Sequence, residues 1–136
     1  MNASQCEEEV LRIHCFFVEW LTGKTPNTPE NFEAQCGTVL AKDVVLVKPT
    51  GVVVRHDELH KELLEAHGSL DTFDMEIRNM QVLQSCADFC VVMYEEWHFR
   101  DTVSARQCTA IFRLKQNASG VVEWVHIHET TIETQE

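Results

Sequence analysis

Glu95, Arg106, Cys108 and Glu129 are the residues whose types and spacing best suit chemistry in this sequence. Three consecutive runs carry them: Phe89–Arg100, Ala105–Lys115 and Val121–Ile132, each reading as a long β-strand. A tight turn at Asp101-Thr102 sets Glu95 opposite Cys108 and Met93 opposite Ala110. A loop at Asn117–Gly120 sets Glu129 opposite Cys108 and Ile127 opposite Ala110. In that register Val91, Met93, Ala110, Phe112, Val125 and Ile127 form an apolar inner face. Glu95, Cys108 and Glu129, then Trp97, Arg106 and Thr131, occupy one end of it. Glu95 and Glu129 lie two strands apart, roughly 10 Å between α-carbons, and concave curvature brings their carboxylates closer. Two carboxylates in a partly dry cavity push one pKa upward, the usual route to a general acid or base near neutrality. Arg106 would hold the other ionised. The alternative reading is a buried salt-bridge network that satisfies the polar end of the sheet and does no chemistry.

Other residues belong to the same cavity. His14 shares the apolar stripe of the first helix, as a proton shuttle or as a buried histidine hydrogen-bonded to a carbonyl. Phe17, Trp20, Met93, Trp97, Cys108, Ala110 and Ile127 would form ligand-binding walls, the two tryptophans stacking a ring or cradling a cation. Cys108 acts as a nucleophile only if its pKa is lowered, and Arg106 is the sole agent in sight. A second constellation is His126-x-His128, placed on the outer face with His98 and Glu96 two strands away. Such a pair ligates zinc, iron or copper when a third ligand is near. On an outer face it instead meets a partner subunit, together with Tyr94, Thr109 and Trp124. The interface reading is the one adopted, with no metal and no cofactor expected. His56, His60 and His67 read as surface helix residues, and Glu7-Glu8-Glu9 as a solvated first helical turn.

The elements that position these groups follow from periodicity and punctuation. Ser4 with Glu7 predicts a capping box opening a helix to Thr22–Gly23, with Val10, Ile13, Phe17, Trp20 and Leu21 at helical spacing. Thr28-Pro29-Glu30 starts a short second helix through Gln35. Val39–Lys48 and Val52–Arg55 read as strands joined by a type I turn at Lys48–Gly51. Asp57–His67 is a third helix with Leu59, Leu63 and Ala66 inward, and Leu70–Gln84 the next strand. The order is α-α-β-β-α-β-β-β-β, an α+β pattern predicting a curved sheet closed over a cavity.

Composition narrows the partners. The 136 residues fit one domain, 1–136, large enough for a core without staples. With 22 Asp+Glu against 11 Lys+Arg the net charge is −11, which argues against nucleic acid and against anionic membrane surfaces. There is no signal peptide pattern and no membrane-length apolar run, so a cytoplasmic location is expected. The six cysteines form no CxxC pair and read as reduced, mostly buried small hydrophobes rather than a zinc site. The sequons at Asn2 and Asn117 then carry no glycan.

The element order, the Pro49-Thr50-Gly51 turn into Arg55-His56-Asp57-Glu58-Leu59, and the ending Trp124-Val-His-Ile-His-Glu-Thr130 resemble the nuclear transport factor 2-like (NTF2-like) superfamily, specifically its SnoaL-like branch. The ending also resembles the last strand of the calcium/calmodulin-dependent kinase II association domain. The resemblance implies a cone-shaped mixed sheet wrapped around the first helix, a pocket within it, and a homodimer through the outer face. It does not supply a function, because members range from isomerases and dehydratases to assembly hubs. Where the kinase association domain places inner-strand arginines, the matching positions here are Glu95, Ala110 and Glu129, so anion binding is not carried over. No match to the aspartate–tyrosine pattern of the ketosteroid isomerase members is found. The expectation is a small-molecule-binding protein, with isomerase, dehydratase or hydratase chemistry at Glu95, Glu129, Arg106 and His14. The rivals are a non-catalytic interaction module using the convex face and a metalloenzyme using His126 and His128.

Overall fold

The computed structural model describes residues 2–116 and 120–134. Helix α1 (Ala3–Leu21) starts two residues earlier than the Ser4–Glu7 signal predicts. Asn2 is the cap: its side chain accepts from the Ser4 N–H at 2.8 Å, and Gln5 closes the box on the Asn2 N–H at 3.0 Å. Asparagine caps as well as serine and Gln closes a box as well as Glu, so the earlier pair wins. Helix α2 (Pro29–Gln35) begins as expected, with Thr28 accepting from the Asn31 N–H at 3.1 Å. A 3-10 turn (Gly37–Val39) leads into β1 (Leu40–Val47), which pairs with β2 (Val53–Arg55) across the Lys48–Val52 turn. Gly51 closes that turn at φ +87, a conformation that disfavours any side chain. Helix α3 (His56–Glu65) and strands β3 (Asp74–Ser85), β4 (Phe89–Phe99), β5 (Val103–Leu114) and β6 (Val122–Ile132) complete the chain.

All six strands form one sheet in the order β2-β1-β6-β5-β4-β3, with β1 and β6 parallel and the other neighbours antiparallel. The α+β architecture and the element order are those predicted, but the sheet is not closed: β2 and β3 are free edges. Bulges curl it. Strand β3 shifts register twice against β4, the first time around Asn79 at φ +52. The concave side wraps α1, whose Cys6, Val10, Ile13, Phe16 and Trp20 pack against Cys90, Val92, Tyr94, Cys108, Ala110, Phe112 and Trp124. Each large side chain buried there, such as Trp20 or Phe112, contributes about 2–3 kcal/mol of transfer free energy. Four of the six cysteines (Cys6, Cys36, Cys90, Cys108) are buried in this core, as small hydrophobes. Among the described residues no helix is long and apolar enough to cross a membrane.

The register differs from expectation at two places, and both matter for the site. The β4–β5 hairpin turns on three residues, Arg100-Asp101-Thr102, so Phe99 pairs with Val103 and Tyr94, not Glu95, faces Cys108. One extra loop residue moves every β4 side chain to the other face. The β5–β6 pairing places Glu129 opposite Cys108 and Ile127 opposite Ala110 as predicted. A bulge between Ile111 and Phe112 then sets Trp124, not Val125, against Phe112. Residues Asn117–Ser119 of the expected connecting loop lie outside the described residues.

Candidate functional site

The concave face encloses a cavity of about 590 Å³ between α1, α3, the β1–β2 turn and the inner sides of β4, β5 and β6. Its walls are largely apolar and aromatic: Ile13, Phe17, Leu21, Leu46, Leu63, Phe73, Met75, Tyr94, Trp124 and Ile127. Its polar end is built from four elements. Helix α1 supplies His14, β4 supplies Glu96 and His98, and β5 and β6 supply Arg106 and Glu129.

Glu96 is the hub of this end. Its Oε2 accepts from His14 Nε2 at 2.9 Å and its Oε1 from His98 Nε2. The other ring nitrogen of His14 meets the Val10 carbonyl at 2.6 Å. Both nitrogens of His14 therefore face acceptors, and only the imidazolium can donate to both. His14 is thus a buried, carbonyl-bonded core residue that also lines the cavity. Burial pulls its pKa down, but the charge and hydrogen bond of Glu96 more than offset this and hold it above the ordinary histidine value. For Glu96 burial favours the neutral acid, yet the His14 charge and the two imidazole hydrogen bonds keep it ionised far below the carboxylate range.

Glu129 is displaced the other way. Burial and then the Glu96 charge raise its pKa, against the Arg106 guanidinium, which donates to it at 3.1 Å. Cys108 sits between, its thiol pushed up by burial and by both carboxylates, so it stays protonated and is not a nucleophile. Ligand atoms of Glu96, Cys108 and Glu129 lie within 4.8 Å of one another. Glu96, each of whose oxygens already accepts an imidazole N–H, has little coordination capacity left, which makes that trio a poor metal centre.

Of the predicted site residues, the structure brings His14, Arg106 and Glu129 to the cavity, with Phe17 and Ile127 in its wall. Trp20, Cys108 and Ala110 are fully buried beneath it, Trp20 donating to the Leu63 carbonyl at 2.8 Å. Glu95, Met93 and Trp97 lie on the opposite face, because of the three-residue hairpin. There Glu95 accepts from Asn79 Nδ2 at 2.7 Å and from Trp97 Nε1 at 2.9 Å, and Arg78 stacks on Trp97 at 4.2 Å. Tyr94 and Trp124, placed by sequence at an outer interface, are 1% and 4% exposed and point inward. Trp124 donates to buried Glu9 at 2.8 Å. Glu96 and His98 are likewise inside, which removes them as third ligands for His126 and His128. Those two remain outward, with ring centroids 6.1 Å apart. Sequence reasoning thus missed Glu96, His98, Tyr94 and Trp124. A hairpin loop of three residues was the one signal able to reveal the first three, and nothing local marked the bulge that turns Trp124 inward.

An open curved sheet cupping a long helix, with a cavity at the polar end of its concave face, is the NTF2-like architecture. The structure superposes on an NTF2-like protein of unknown function from Pseudomonas aeruginosa with TM-score 0.85 at 23% identity, covering 95% of this chain and 99% of that one. An NTF2-like family protein from Streptomyces avermitilis, provisionally named a dehydratase, matches with TM-score 0.74 at 11% identity over 98% of each chain. The association domain of C. elegans CaMKII matches with TM-score 0.67 at 18% identity, covering 96% of this chain and 100% of that one. None of the curated proteins matches the chain in sequence. The profile of the sucrose-6-phosphate phosphohydrolase C-terminal family spans residues 6–133, and the chain belongs to that family.

Proposed function

We propose that this chain, a single NTF2-like domain, holds a small, partly apolar molecule in the concave cavity and moves a proton on it, as in isomerisation, dehydration or hydration. Glu129 carries the exchangeable proton, Arg106 orients the substrate, and Glu96 occupies the cavity position where sequence puts Glu95, with both its oxygens taken up by imidazoles. The observation behind this reading is the split between two carboxylates that face one cavity. Glu96 is held ionised by two imidazoles, while Glu129 is pushed toward protonation. Of two carboxyls driven apart in this way, the raised one is suited to carry a proton near neutrality. The family name points to a sugar phosphate, but the largely apolar and aromatic wall suits a less polar ligand. The test is α-proton exchange from small cyclic ketones into D2O, followed by NMR. Wild-type protein should exchange, Glu129→Gln should lose at least about tenfold while keeping its melting temperature, and Met75→Trp should block binding by filling the cavity. Equal exchange by wild type and Glu129→Gln would sink the assignment.

A second reading rests on the likeness to an association domain. The convex face, with Thr109, His126 and His128 but without Tyr94 and Trp124, joins two copies. Burial and then the His128 charge lower the pKa of His126, so protonation of His126 in acid opposes docking. Sedimentation should show a dimer at neutral pH that weakens in acid. A monomer throughout would remove this reading.

A further inference from the structure

We infer that His98 is the proton-accepting base of the cavity and that Glu96 serves to position it. This rests on the proton-transfer reading above and assigns the base that it lacks. Glu96 itself is a poor base, because each of its two oxygens already accepts an imidazole N–H. The single negative charge of Glu96 is matched by His14, whose two nitrogens both face acceptors and which is therefore the cation of the group. The second imidazole need not be charged. With its Nε2–H given to Glu96, a neutral His98 carries its lone pair on Nδ1, and among the described residues no polar atom meets that nitrogen. His98 lines the cavity, and the edge of Phe73, 5.4 Å between ring centroids, fixes its plane. An imidazole whose one nitrogen is anchored on a buried carboxylate, and whose other opens on an apolar cavity, is an oriented general base. Glu129, with Arg106 beside it, stands across the same polar end as the proton donor.

The balanced step is removal of a C–H proton from the ligand by Nδ1. The C–H electron pair forms a new π bond, and the departing or accepting oxygen takes the Glu129 proton. The probe that isolates the base is 5-nitrobenzisoxazole. Its C3–H proton goes to the base as the N–O bond breaks, and the electron pair ends on a phenolate oxygen that needs no acid. Wild-type protein should turn it over faster than the same concentration of free imidazole. His98→Ala should lose at least about tenfold and recover in part on addition of imidazole, whereas Glu95→Gln, on the convex face, should keep most of the rate. Turnover that survives in His98→Ala and vanishes in Glu129→Gln would overturn the inference and leave the proton-transfer reading standing. No wild-type turnover would overturn both. A measurement on the unaltered protein guards against misfolded variants. Diethyl pyrocarbonate should acylate His98 and spare His14, with outward His126 and His128 as internal references. Modification of His126 and His128 without His98 would also overturn the inference.

Discussion

Glu95 and Glu96 are chain neighbours with the same side chain, each accepting a hydrogen bond on both carboxylate oxygens, yet they head two different networks on opposite sides of β4. Glu95 joins Asn79, Trp97 and Arg78 on the convex face, where the Trp97 and Asn79 hydrogen bonds lower its pKa. Glu96 joins His14 and His98 in the cavity, with its side chain 9% exposed. Water screens the first network and supplies substitute partners, so the loss of any member is cheap. The second has little water to turn to. There each charge is held by the others, and the same low dielectric that makes the network costly to break displaces the pKa values of His14, Glu96 and Glu129.

The contrast is open to direct challenge. The largest effect should come from Glu96→Ala, which strands a buried imidazolium and should cost about 3–5 kcal/mol in urea unfolding. Pairing Glu96→Leu with His14→Leu should recover most of this, since the charge and its counter-charge leave together. A loss for Glu96→Ala no larger than that for Glu95→Ala would erase the distinction between the faces.

The next effect is on the pH profile. His14 has a folded pKa above its ordinary 6.5, so its contribution is fully present below that pH and is lost as pH rises through the folded value. Glu129 acts in the same direction, because its folded pKa lies above 4.5 and ionising it in the cavity is unfavourable. Glu96 acts oppositely: its contribution is present above 4.5 and is lost as acid titrates the folded carboxylate. Stability should therefore fall toward alkaline pH and again in strong acid. In Glu96→Gln, burial acts on His14 against only the Val10 carbonyl and the Glu129 charge, and the slope through neutrality should flatten. Denaturation curves taken across that range would show an unchanged slope if the pair were not coupled.

Smaller still is the effect of Arg106→Met, since the Arg106 side chain is 39% exposed. It should cost about 1 kcal/mol while raising the Glu129 pKa further, a shift that carboxyl NMR reads directly. Glu95→Gln should change stability by less than about 1 kcal/mol and leave the cavity titrations where they were.

Much of the frame was legible because it depends on local patterns. The proline and cap of α2, the turn closed by Gly51 and the stripe carrying Val10, Ile13, His14, Phe17 and Trp20 all state themselves within a few residues. Arg106 and Glu129 were placed because the β5–β6 pairing follows from β5 itself, where Cys108, Ala110 and Phe112 make an unambiguous inner row. Strand β4 offers no such choice. Val91, Met93, Glu95 and Trp97 on one parity match Cys90, Val92, Tyr94, Glu96 and His98 on the other in apolar content. Only the length of the hairpin loop chooses between them. The same ambiguity sent Tyr94 to the surface in the sequence reading, and an unmarked bulge did the same for Trp124.

The sequence by itself determined the class of fold, the order of its elements and the presence of a polar end on an apolar strand face. Those properties are set by short-range periodicity, capping and turn chemistry. Tertiary structure alone decided which of two adjacent glutamates faces the cavity, that two histidines from α1 and β4 converge on it, and that the sheet stays open at both edges. The first depends on the register of one hairpin, where one residue of slip reverses a strand at little local cost, and the others on contacts between segments far apart in the chain.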